Sequence, residues 1–268
     1  PSQDLTRANS LGQLSANASG TLGFLAGSGL VALIGVPAAF LANACSFALS
    51  AFLLTRVAYG FRGSTAATSM RTSLAEGWRT VRSIPVVVRL LPPLIVINFL
   101  FSSLIILIPI FAEDTFSSGA GGMGTLLSTY TAGMLLAALV LGNVRIATNV
   151  STLVGASMLV VAVAFLVMGL FASFTVFMVA LLLIGLALNA VNICLITLFQ
   201  RIIPAGALGK FFSLVMALSL SAQPLAFGIT GWLTDSVRPT TILLTCAAAL
   251  LGCAIYVTQI QALRRQAV

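Results

Sequence analysis

The residues that could do chemistry in this chain are amides and hydroxyls rather than charges. Gln13, Asn17, Asn98, Ser102, Tyr130, Asn189, Asn192, Gln200 and Gln223 all stand inside long runs free of Asp, Glu, Lys and Arg. Histidine is absent from the whole chain. That removes imidazole general bases, Ser-His arrangements and most transition-metal sites. No pair of carboxylates has the spacing of an acid–base couple. The sequence therefore predicts no catalytic residue, no metal site and no cofactor, and a membrane-embedded enzyme is set aside. Amides recognise by hydrogen bonding, and their spacing gives them shared faces. At 100° per residue, Gln13, Asn17, Gly20, Phe24 and Gly27 fall within about 80° of arc on a helix. Gly185, Asn189, Asn192 and Gln200 repeat the pattern, and Asn98 and Ser102 stand at i and i+4. Such groups are costly against lipid, so they face either a protein-lined cavity or a neighbouring helix. Both readings stay open for each of them, with Tyr130 and Gln223 as further candidates for the same surface.

The elements that carry these residues must be membrane spans. Of 268 residues, 59% are hydrophobic and 7% charged, where a soluble domain has about 25% charged. Mean hydropathy is +1.13. A span needs roughly 20 apolar residues, and the uncharged runs divide accordingly. Residues 8–55 hold two spans parted at Gly35-Val36-Pro37. Residues 90–112 hold one, and residues 115–144 hold one after a glycine-rich loop at 117–122. Residues 146–200 hold two parted at Ala172-Ser173, and residues 211–234 and 239–263 hold one each. The fold class predicted is an all-α polytopic membrane protein with eight transmembrane helices.

Orientation follows from the basic residues. With both termini of the chain in the cytoplasm, 12 of the 13 Lys and Arg residues fall inside, and only Arg238 falls outside, near Asp235. The net charge of +8 is thus a topology signal, and nucleic acid is not an expected partner. The lipid bilayer of the cell membrane is. Residues 56–91 form the longest stretch between spans. A loose segment, 60–69, precedes an amphipathic pattern in which Leu74, Trp78, Val81 and Pro85 share a face. This predicts a short helix on the membrane surface, ended or kinked by Pro85. Cys45, Cys194, Cys246 and Cys253 lie in apolar stretches without CxxC spacing and read as buried small hydrophobes.

Three stretches carry a resemblance. Asp4-Leu5-Thr6-Arg7-Ala8-Asn9-Ser10-Leu11 runs into Gly20, Gly23 and Gly27. Glu76-Gly77-Trp78-Arg79 precedes Pro85. Gln200-Arg201-Ile202-Ile203-Pro204 leads to Gly209-Lys210 and Ser213. In this order the chain resembles the major facilitator superfamily, within its branch of macrolide-efflux and siderophore-exporter-like transporters (the transmembrane secretion effectors). The resemblance implies twelve helices in two halves, of which this chain would hold helices five to twelve. Residues 1–55 would be the last two helices of the N-terminal half, 56–91 the cytoplasmic linker and 92–268 the C-terminal six-helix half. The opening Pro1 and the loop-like Asp4–Arg7 agree with a missing N-terminal part. A weak internal echo, Gly23-Phe24-Leu25-Ala26-Gly27 against Gly228-Ile229-Thr230-Gly231, suits related halves.

The resemblance further implies a secondary active transporter, working as a monomer, that exports a small molecule by alternating access with protons as coupling ion. Helix five of the superfamily's antiporters carries a Gly-Pro pair between glycines. Here Gly23 and Gly27 match it, while Phe24 and Ser28 depart from it. Gln200, Arg201, Pro204, Gly209 and Lys210 would form a loop at the cytoplasmic gate, with Pro204 and Gly209 punctuating the turn, and Lys210 stands where arginine is usual. Pro224, with Gly228 and Gly231, would make the seventh helix bendable. No charged residue lies deep in any span, so an apolar cavity with a few amides suits a lipophilic or amphipathic substrate. The competing expectation is a truncated or partner-dependent scaffold without transport of its own. A channel is disfavoured because no filter-like loop or charge ring is present.

Overall fold

A computed structural model describes residues 2–56, 70–143 and 150–259. The loose segment 60–69 and Arg62, Arg145, Arg264 and Arg265 lie outside them, as do the side chains of Asp4, Arg7, Arg71, Leu74 and Glu76. The described residues are helical throughout, with no strand among them. The order is α1 (Ser2–Thr55), α2 (Met70–Ser83), α3 (Pro85–Ile110), α4 (Gly119–Asn143), α5 (Val150–Leu170), α6 (Phe174–Ile202), α7 (Leu208–Thr234) and α8 (Pro239–Thr258). Among the described residues, seven helices are long and apolar enough to cross a membrane.

The first of the seven does double service. At 1.5 Å per residue α1 is roughly 80 Å long, against a hydrocarbon layer of about 30 Å. It is divided at Gly35, whose φ of +77° and ψ of 169° are non-helical. Only glycine occupies that region without strain, and Pro37 removes a further backbone donor. The break falls where the sequence predicts it, so α1 supplies two of the eight expected spans. The other predicted break is also in place, since α5 ends at Leu170 and α6 begins at Phe174.

The linker helix splits the face that periodicity groups together. It ends at Ser83, Ile84 is extended, and Pro85 opens α3. The span expected to begin near residue 90 thus begins at Pro85 and runs through Pro92 and Pro93. The face of α2 turned inward is Gly77 and Val81, not Trp78, which is 42% exposed, and Pro85 is exposed as well. The reason is packing against α7: a Cβ on Gly77 would stand 2.8 Å from the Lys210 carbonyl oxygen and 3.2 Å from Leu214 Cβ. No side chain larger than hydrogen lets the helices approach so closely.

One core holds α3, α5, α6, α7 and α8 together, joined by Val81 of α2 and by Leu126 and Leu127 of α4. Its largest buried side chains include Phe111, Phe165, Phe177 and Phe211. Helix α5 packs on α6 and α8, and α3 on α7 and α8. Past Ile110 the chain makes one π-turn, Phe111–Thr115, closed by the Phe116 N–H donating to the Phe111 carbonyl at 2.9 Å. The turn keeps Phe111 and Ala112 buried while Glu113 and Asp114 face outward. Phe111, Phe116, Phe174 and Phe177 form an aromatic cluster with centroids 4.6 to 6.1 Å apart. The glycine-rich stretch at 117–122 is mostly helix rather than loop: Gly119 takes a positive φ and opens α4, and Gly121 and Gly122 lie within it. Of the cysteines, Cys194 and Cys246 are buried and Cys253 is half-buried, but Cys45 is exposed. It sits among residues 40–55 of α1, which are exposed throughout and apolar.

Candidate functional site

The predicted polar residues do not converge on one point. Four of them meet where the first arm of α1 crosses α4 and α6. Helices α1 and α4 run antiparallel. The Thr21 hydroxyl donates to Thr131 Oγ1 at 2.9 Å, Gly20 faces the Thr131 methyl, and Ser28 lies against Gly124 further along. Asn17, one turn before Thr21, therefore sits level with Met134. Asn189 of α6 reaches the same level, its Nδ2 donating to the Met134 carbonyl at 2.6 Å. One turn nearer the α1 N-terminus, Gln13 Nε2 donates to Asn192 Oδ1 at 3.4 Å. Gln13, Asn17, Asn189 and Asn192 thus form a seam of amides between α1 and the α4–α6 pair.

Two atoms of this seam lack partners. Asn17 is 6% exposed and Asn189 is fully buried, yet Asn17 Nδ2 and Asn189 Oδ1 make no hydrogen bond. One is a donor and the other an acceptor, at the same depth. An unmatched buried polar atom costs about 1–3 kcal/mol, so the pair marks a place where a group with both hydrogen-bonding senses would be stabilised.

The seam's scaffold is steric. At the α4–α6 crossing, a Cβ on Gly133 would collide with the Leu182 carbonyl, and one on Gly185 with the Tyr130 carbonyl. The two backbones touch through reciprocal glycines. Ala137, Ala138, Leu141, Ala190 and Ile193 close the contact below, with Leu14 of α1 resting on them.

The other candidates lie elsewhere. Asn98 Nδ2 donates to its own helix at the Leu94 carbonyl, 2.8 Å, and Ser102 Oγ to the Asn98 carbonyl, 2.7 Å. Tyr130 packs its ring on Phe101 of α3, 5.0 Å between centroids, and is not part of the seam. Gln223 is half-buried on α7, whose neighbours are α2, α3 and α8. Backbone hydrogen bonding carries α7 past Pro224 as one helix.

Of the glycines on this arm of α1, Gly20 meets α4, and Gly124 of α4 meets Ser28, because the contact stripe runs along 13, 17, 20–21, 24 and 28. No described atom lies within 4 Å of a Cβ placed on Gly23, Gly27, Gly228 or Gly231. Phe24 is 39% exposed, and its carbonyl lies against Gly124. In the gate loop, Pro204 caps a 3-10 turn, Ala205–Ala207, but Gly209 is already inside the first turn of α7. Arg201 is exposed, and Gln200 and Lys210 are half-buried and engaged by neighbours. Two grooves of about 510 Å³ lie away from the seam. One is between α5 and α6, lined by aliphatic side chains such as Val163 and Val179. The other is in the crook of α1, around Leu30 and Phe40. Both suit hydrocarbon and offer little polar chemistry.

Reading the sequence missed Thr21, Thr131 and Gly133. The signal was the run Ser128-Thr129-Tyr130-Thr131-Ala132-Gly133, a cluster of small polar residues in one span. Such clusters mark helix contacts in membranes.

Comparison with known proteins agrees with this architecture. A family model described as transmembrane secretion effector matches residues 1–267. No curated protein and no solved structure matches the chain. With α-helical spans throughout and a match over essentially its whole length, the chain belongs to the transmembrane secretion effector family of major facilitator superfamily transporters.

Proposed function

We propose that the chain serves a secondary active transporter that exports an uncharged lipophilic or amphipathic small molecule by alternating access. One observation carries the reading: Asn17 Nδ2 and Asn189 Oδ1, buried and unmatched at one level of the α1–α4–α6 seam. A neutral ligand group that both donates and accepts, such as a hydroxyl or an amide, satisfies both atoms on an otherwise apolar body. A charged group does not fit, since the described carboxylates Glu113, Asp114 and Asp235 stand at helix ends and would leave it unpaired in the membrane interior. Proton antiport is the coupling proposed with it, its titrating group lying outside the interiors of the described spans. The basic-residue asymmetry supports placing the Lys210 end of the bundle in the cytoplasm of a cell with this transporter in its limiting membrane.

The test is retention of lipophilic fluorescent compounds by cells producing the native protein. Asn189→Leu and Asn17→Leu should each raise retention toward that of cells lacking the protein, at unchanged membrane abundance. A protonophore should do the same to the unaltered protein. Full efflux with both amides replaced overturns the site.

A further inference from the structure

Helix α2 offers a second surface that the transport reading does not use. Its inner face is fixed by Gly77 against the Lys210 carbonyl and by Val81, which is fully buried. At 100° per residue, Trp78, Arg82 and Arg79 stand about 100°, 140° and 200° around the helix from Gly77. They therefore share the face turned away from the bundle. All three are exposed, and so is Arg89 in the first turns of α3. The Arg82 guanidinium carbon lies 5.3 Å from the Trp78 ring centroid, so the cation is held over the indole face.

We infer that this face binds anionic phospholipid headgroups, with Trp78 at the boundary between headgroups and acyl chains and Arg79 and Arg82 on the phosphates. The placement follows from covalent continuity. A single extended residue, Ile84, separates α2 from α3, which crosses the bilayer from Pro85. The end of α2 therefore lies at the membrane surface, and its outward face is in reach of the headgroups. Chemistry sets the preference among lipids. An indole seeks the interface, and guanidinium forks match phosphate oxygens bidentately. Zwitterionic headgroups offer the same phosphate but cancel it with a choline or ethanolamine cation. Glu76 is the one acid on α2; its position lies about 160° around the helix from Trp78 and about 120° from Arg82, and adjoins only Arg79, at i and i+3. Docked in this way, α2 would hold the start of α7, through Gly77 and Leu214, to the plane of one leaflet.

The chain contains two tryptophans, and Trp232, 71% exposed, stands at the far end of α7. A Trp232→Phe variant therefore reports on Trp78 alone. It should be reconstituted in mixed phosphatidylcholine–phosphatidylglycerol vesicles, with bromine on the chains of one lipid or of the other at equal mole fraction. Quenching of Trp78 should be about fivefold stronger when the phosphatidylglycerol carries the bromine. With Arg79→Gln and Arg82→Gln added, the ratio should fall to about one, while quenching by brominated phosphatidylcholine persists. Equal quenching by the two lipids in the parent overturns the inference. So does a preference that survives loss of both arginines, or an absence of quenching by either lipid, which would place the face against water or another protein.

Discussion

Helix α6 meets its neighbours in two opposed ways. Toward α4 the backbones touch through Gly133 and Gly185, with Ala137, Ala138 and Ala190 sealing the contact. Toward α1, α6 and its partner α4 present hydroxyls and amides: Thr21 on Thr131 of α4, a long bond from Gln13 to Asn192 of α6, and Asn17 left unmatched. No residue of α1 belongs to the main core of the described residues. A backbone contact of the first kind cannot slide without carbonyl collisions. In a seam of the second kind each hydrogen bond adds only about 0.6 kcal/mol, the average between membrane helices, and the close packing is confined to Gly20 and Gly124. Helices α3 to α8 thus form a packed block on which α1 is docked, and in the proposed alternating access the seam is the surface that would move.

The comparison breaks first at the crossing. Gly185→Leu drives a side chain into the Tyr130 carbonyl, and the helices must separate at a cost of about 1–3 kcal/mol or more. The expected result is a several-fold loss of monodisperse protein in size-exclusion of a fluorescent fusion. A normal yield would show that the crossing is as loose as the seam. The seam itself should respond far less. Thr131→Val removes one interhelical bond, about 0.6 kcal/mol, and should lower the melting temperature in detergent by about 2 °C. A fall as large as that of the glycine variant would make the seam part of the fixed block. The smallest effect belongs to Gly23→Ala with Gly27→Ala. Both faces are open, and alanine is the better helix former by about 1 kcal/mol each, so thermal stability should hold or rise slightly. A loss would reveal a neighbour covering that side of α1.

Much of the fold was legible because the signals are cumulative. Eight apolar lengths follow from where charges interrupt the chain. The breaks at Gly35 and at 171–173 follow from local backbone chemistry, with one glycine at positive φ and one Ala-Ser pair between long apolar runs. The site was legible only in part. Gln13, Asn17, Asn189 and Asn192 share faces by periodicity, and periodicity is a property of one helix at a time. Which face meets which neighbour depends on where glycines let backbones approach, and Gly133, with Thr129 and Ala137 a turn to either side, shows a contact face but not the helix that meets it. For the same reason Asn98 could not be told from a cavity residue: its bond to the Leu94 carbonyl uses the same amide that a ligand would. Periodicity groups Trp78 with Val81 on one apolar face of a surface helix, and only Val81 of the two is buried. In α2 the smaller Gly77 takes the inner position, since only hydrogen fits beneath the Lys210 carbonyl.

The π-turn after α3 has a consequence for heredity. An α-helical span tolerates loss of a codon poorly, because every later side chain turns by about 100°. A π-turn is an α-turn with one residue too many. Losing one of the exposed residues 113–115 would return the backbone to the ordinary ladder and leave the buried register of α3 before it, and of α4 after it, where they were. The chain thus carries, beside its aromatic cluster, a helix-end turn where its length is free to change by a single residue.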